Sequence, residues 1–183
     1  MKEESFMNNY IDLVSAIELC IRERLIVPAL VLIYSGIDAF AWLVSDSEWA
    51  TRDTFRKWVK EWMLNNKHLP CNEDDLYAAR CGILHTLISE SDMSQKKQAK
   101  QIYYAWGEKN YQELQKTIYL MNRADICVAI QIEELFWTFR SAIADCHENI
   151  IKNPVLLERF KARSKKLFIN ESFGNFMNLK SKK

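Results

Sequence analysis

Apolar positions along this chain recur mainly at helical spacing. Leu13, Ile17, Cys20, Ile21 and Leu25 share one face of a first helix expected from about Phe6 to Arg24. Pro28 suits the first turn of a second helix, because its fixed φ matches the helix and its missing N–H is not needed there. That helix carries the apolar run Leu30 to Leu43 and stops at Ser45-Asp46-Ser47. Thr51 or Asp53 can cap a third helix, with Phe55, Trp58, Val59 and Trp62 on one face and Arg52, Arg56, Lys57 and Lys60 on the other. A loop at His68-Leu69-Pro70-Cys71 leads to Asn72, a good cap for a fourth helix. Its first turn, Glu73-Asp74-Asp75, is acidic as the helix dipole favours.

The pattern changes after Ser89. Gln101 to Trp106 is rich in β-formers and bounded by Gly107, which predicts a short strand; Thr117 to Met121 can pair with it as a hairpin. A long helix is expected from about Cys127 to Ile151, and Asn153-Pro154 opens a last basic helix to about Phe168. The fold class is therefore mainly α: an up-and-down bundle of five or six helices with a short β-hairpin insert near 101–121. Residues 1–168 form one domain and 169–183 a basic tail.

Composition supports this. With 183 residues, 49% of them apolar, the chain can bury a sizeable core, and only 4 Gly and 3 Pro argue against the many tight turns of a sandwich or barrel. Formal charge is +1 but uneven: residues 152–183 hold nine Lys/Arg against two acids, a local +7, with −6 over residues 1–151. Such an end can follow a phosphate backbone or be the solvated face of a last helix. Cys20, Cys71, Cys81, Cys127 and Cys146 make no CxxC pair and no metal-like cluster with His68, His85 and His147, so reduced thiols in the cytoplasm, with no metal and no cofactor, are expected. Leu25 to Val44 is long enough to span a bilayer, but Asp38 near its middle would cost about 2.5–3.5 kcal/mol there. It is read as the central helix of a soluble bundle, with no membrane partner. The six tryptophans are read as core rather than as the lining of a small-molecule pocket.

One segment carries chemistry: Asp75-Leu-Tyr-Ala-Ala-Arg-Cys-Gly-Ile-Leu-His-Thr86. At about 100° per residue, Leu76, Ala79, Ile83 and Leu87 form an apolar stripe, and Arg80 falls inside it. A guanidinium there needs a carboxylate, and Asp38, the lone acid of the second helix, has the converse need. Ala78, Gly82 and Ser89 are small and let another backbone approach, within the bundle or from a second subunit. His85 lies about 140° around the helix from Arg80, so the two do not stack on one line of it.

Arg80-x4-His85, with Tyr77-x-x-Arg80-Cys81-Gly82 and the upstream Tyr34-Ser35-Gly36-Ile37-Asp38, resembles the HEPN superfamily of prokaryotic helical bundles, in its uncharacterised bacterial branch. The likeness covers most of residues 6–166 and is specific in those two stretches. The resemblance implies a homodimer in which two motifs face one cleft, with Ala78, Gly82 and Ser89 packing the subunits. It implies Arg80 and His85 as the catalytic pair of a metal-independent endoribonuclease, attended by Asp38, Tyr77 and Cys81. Toxin–antitoxin or phage-defence roles, with RNA as substrate and an antitoxin protein as partner, belong to the same implication. Active members often carry a polar residue where this chain has Cys81. The alternative is a non-catalytic dimeric module binding RNA, a nucleotide or a protein.

Overall fold

Three capping boxes set where the middle helices begin. In the computed structural model, which describes residues 2–65, 69–88, 90–108, 111–164 and 166, with the side chains of 2–8 left aside, Thr51, Asn72 and Ser91 each accept from a backbone N–H two or three residues on. Helix α1 runs Lys2–Arg22 and ends at Arg24, whose φ is 59°. Helix α2 spans Ile26–Val44 with Pro28 in its first turn, and Ser45 closes it. Helix α3 (Arg52–Trp58) continues into a π-helical turn, Val59–Met63. Then follow α4 (Glu73–Thr86), the short α5 (Asp92–Gln95), strand β1 (Gln101–Ala105), α6 (Tyr111–Leu120), β2 (Cys127–Gln131), α7 (Ile132–Lys152) and α8 (Pro154–Ser164). The fold is mainly α with a small two-stranded sheet.

Helix α2 is the hub, packing against α1, α3, α4, α7 and α8. Ile33, Tyr34 and Ile37 are fully buried, and Phe40 meets Trp58 and Phe139 in an aromatic cluster. Gly36 permits that closeness: a Cβ there would lie 2.6 Å from the ring of Phe139. By length and composition α2 alone among the described helices could cross a membrane, yet half of that stretch is buried inside the fold. That is compatible with the core helix of a soluble protein.

The β insert differs from the expectation in topology. β1 pairs in parallel with β2, from Gln101 opposite Cys127 to Ala105 opposite Gln131, and the expected partner, 117–121, lies mostly in α6. The pair is a β1-α6-β2 crossover, as parallel strands require, and not a hairpin. Each strand is covered on both faces. Ile102, Tyr104, Val128 and Ile130 face the helical core, while Tyr103, Cys127 and Ala129 pack with Ile118 and Leu114 of α6. For the same reason the long helix starts at Ile132 and not at Cys127. The structure thus has more helices than the five or six of a simple up-and-down bundle, with α5 and α6 added around the insert. The last helix is described to Ser164; the tail 169–183 lies outside the described residues.

The positive end has an internal task. Arg163 donates to the carbonyls of Trp42, Ser45 and Ser47 and lies over the Trp42 ring, and Arg159 donates to Val44 O at 3.0 Å. Both guanidiniums therefore sit at the negative end of the α2 dipole and satisfy its last carbonyls.

Candidate functional site

Asn72 and Asp75 build the start of α4. Asn72 Oδ1 accepts from the amides of Asp74 and Asp75 at 2.9 Å, and Asp75 Oδ2 accepts from Asn72 N at 3.0 Å. Asp75 is buried, and its other oxygen accepts from Lys100 N at 2.6 Å, locking α4 to the start of β1. On the outer side Asp74 binds Arg52 at 3.0 Å and Arg56 at 2.8 Å. These ties fix the helix that carries the motif.

One turn and a half further along, Arg80 meets the expected carboxylate. Its Nε and Nη2 both donate to Asp38 Oδ2, at 2.9 and 2.6 Å. The pair is half-buried, with side-chain exposures of 21% for Arg80 and 22% for Asp38, so neither charge is fully desolvated. Burial pulls the guanidinium pKa down, but the bond and charge of Asp38, with Cys81 beside it, outweigh that and leave it raised. Arg80 therefore stays charged throughout any working pH.

Arg80 Nη1 also lies 3.2 Å from Nε2 of His85, which is exposed. The helical wheel had set these residues apart; the long arginine side chain bridges the gap. A guanidinium can only donate, so the contact makes Nε2 the acceptor and puts the imidazole proton on Nδ1. Of five guanidinium N–H groups, Asp38 takes two and His85 one. One hydrogen on each terminal nitrogen is left for the neighbouring Cys81 sulfur and for an incoming acceptor. That acceptor would meet a planar fork and an imidazole together, a geometry suited to a phosphate oxygen.

Tyr77 and Cys81 lie one turn apart and hydrogen-bond each other. Burial first, and then Cys81, raise the Tyr77 pKa against the lowering effect of Arg80 and Arg52. The Tyr77 ring is edge-on to Phe55, with centroids 5.5 Å apart, and Arg52 lies 5.6 Å from its centre. Tyr77 is thereby fixed as a wall beside Arg80.

Of the two approaches expected for the small residues, from within the bundle or from a second subunit, the described residues show the first. Ala78 and Gly82 are buried within the chain. A Cβ on Gly82 would lie 2.6 Å from Ile88 O and 3.0 Å from Glu90 O. The backbone that approaches is the chain's own. Leu87 takes a left-handed conformation (φ 57°), Ile88 N donates back to Gly82 O at 3.4 Å, and the segment folds over the helix end. Leu87, expected in the apolar stripe, is exposed as a result. Ser89 lies outside the described residues.

Sequence reasoning missed a second polar pair behind the site. The hydroxyls of Tyr34 and Tyr104 are hydrogen-bonded, and burial drives both pKa values up, with Cys71 adding to it. They join α2 to β1 within the core. Among the described residues no three His, Cys, Asp or Glu side chains converge as a metal site. Compared with known proteins, the chain matches no family model, no curated protein and no solved structure.

Proposed function

We propose that this protein is a metal-independent endoribonuclease of HEPN type, acting in the cytoplasm as a homodimer, in a toxin–antitoxin or phage-defence role. The supporting observation is the contact of Arg80 with His85 at 3.2 Å, on a guanidinium braced by Asp38 and an imidazole open to solvent. The reaction this arrangement fits is attack of an RNA 2′-hydroxyl on the adjacent phosphorus. His85 Nε2, released from Arg80 when the phosphate arrives, takes the hydroxyl proton as general base. Arg80 donates to the phosphoryl oxygens as negative charge builds on them. The imidazolium so formed then gives that proton to the departing 5′-oxygen, and the products are a 2′,3′-cyclic phosphate and a 5′-hydroxyl. In this reading Tyr77 flanks the nucleotide.

A second reading, a non-catalytic dimeric module that binds RNA, a nucleotide or a protein such as an antitoxin through the same residues, is favoured by the capture of His85 Nε2 by Arg80 in the free protein. Incubation of the purified protein with mixed RNA in EDTA separates the two. Cleavage that persists in EDTA and disappears in His85→Ala supports the ribonuclease. Binding without cleavage supports the module. Cleavage that survives His85→Ala or requires magnesium refutes the mechanism.

A further inference from the structure

Four helices leave a cavity of about 200 Å³ where α1, α2, α7 and α8 meet, built from residues outside the Arg80–His85 site. Its floor is apolar: Phe40, Ile143, Ile150 and Phe160 are each at least nine-tenths buried. Protein interiors pack to the density of organic crystals and leave few voids larger than a water molecule. An apolar cavity of about 150 Å³ already holds benzene, so this one admits a single substituted ring and is too small for a nucleotide.

One polar side chain stands in that apolar wall. Ile143, His147 and Ile150 fall within about 60° of one another around α7, so the imidazole shares an inward stripe with two buried isoleucines. His147 is half-buried, and its ring nitrogens have no hydrogen-bond or ion-pair partner among the described residues. In its neutral form it offers one donor and one acceptor, whichever tautomer it adopts. A polar atom brought by a ligand would supply the partner that the fold does not.

The rest of the lining selects a neutral aromatic occupant. Tyr10 lies edge-on to Phe40, with centroids 5.8 Å apart and planes at 80°, and Phe160 lines the α8 side. Rings set edge to face in this way favour a further ring among them. No Lys, Arg, Asp or Glu lines the cavity among the described residues, so an ion entering it would lose its water without a counter-charge. Arg140 acts on Tyr10 but is held over the Trp137 ring, outside the lining. Ala144, exposed and small, lies at the entrance beside His147.

We propose that this cavity binds a small neutral phenol: one aromatic ring, an apolar substituent and a hydroxyl. The ring packs against Tyr10, Phe40 and Phe160, and the substituent against Ile143 and Ile150. The hydroxyl donates to the His147 ring nitrogen that carries no proton. Nothing in this site depends on the chemistry of Arg80 and His85.

Saturation-transfer NMR titrations of the full chain near neutral pH test this with three probes of one ring each. p-Cresol carries the hydroxyl and an apolar substituent, toluene lacks the hydroxyl, and 4-hydroxybenzoate replaces the methyl by a carboxylate. The expected order is saturable p-cresol binding, toluene weaker by about fivefold, and no saturable binding of the carboxylate. Ala144→Leu, a change at an exposed position, should fill the entrance and weaken p-cresol by about tenfold with an unchanged circular dichroism spectrum. His147→Leu, if it folds, should bring p-cresol down to the affinity of toluene; if it does not fold, Ala144→Leu decides. His85→Ala should leave p-cresol binding intact. The proposal is overturned if p-cresol shows no saturable binding at millimolar concentration, if the carboxylate binds as well as p-cresol, or if Ala144→Leu has no effect. It is equally overturned if a folded His147→Leu still prefers p-cresol to toluene, or if His85→Ala abolishes binding.

Discussion

Replacing Asp38 by Asn tests the support beneath the candidate site. The change keeps the size of the side chain and one oxygen acceptor, and removes the charge that two guanidinium N–H groups share. Fully exposed ion pairs contribute about 0–1 kcal/mol, whereas stranding one member of a fully buried pair costs about 3–5 kcal/mol. With both side chains about a fifth exposed, water can reach the stranded guanidinium in part. The expected loss lies between these limits, at about 2 kcal/mol. For a domain of this size that corresponds to a drop of about 4–8 °C in Tm. Urea unfolding followed by circular dichroism near pH 7 measures the free energy directly. Arg80→Met should cost a similar amount. The double variant Asp38→Asn/Arg80→Met should cost less than the two single losses together, because neither charge is then left alone. A loss below about 0.5 kcal/mol for Asp38→Asn, within the usual range for surface substitutions, would refute the reasoning; so would losses that simply add.

The remaining expectations concern the frame around the site. Gly82→Ala places a methyl 2.6 Å from Ile88 O, so it should destabilise by about 1–3 kcal/mol and increase protease sensitivity near residue 88; an unchanged melting curve would mean the fold-back is not held tightly. Asn72→Ala removes a cap that accepts two amides and should cost about 1 kcal/mol in the same urea assay. The Cys146 thiol is raised from 9.0 to about 11 by burial, then by Glu61 and Asp145 against the lowering effect of Trp58. Its contribution is fully present below pH 9 and lost as pH rises through 11; Cys146→Ala, compared with wild type across that interval, should show a shallower alkaline decline.

What could be read in advance divides along physical lines. Caps are local chemistry, and Asn72 and Thr51 start their helices where their side chains say they should. The partnership of Arg80 with Asp38 was also legible, because a charge amid apolar neighbours must find its opposite. The β1-α6-β2 unit was not. Cys127 to Ile130 is a continuous apolar run because both faces of the strand are covered, and such a run has no alternation to separate it from a buried helix. The Thr, Ile and Tyr of 117–119 favour strands by type, but α6 lays Ile118 against Cys127 and Ala129, and that packing overrides propensity. At Gly82 the need for a close backbone was visible, whereas the identity of that backbone depends on the reversal at Leu87, a residue type that rarely takes a positive φ. His85 shows the limit of wheel angles: they describe where Cα–Cβ bonds point, and an arginine reaches around them. The ion pairs of Asp46 were hidden for a further reason. Asp46, Lys57 and Arg159 lie on separate segments, and only the fold draws both cations to that one carboxylate. A lone charge within one helix can be found by pattern, but two cations sharing one surface carboxylate can be found only after the chain has folded.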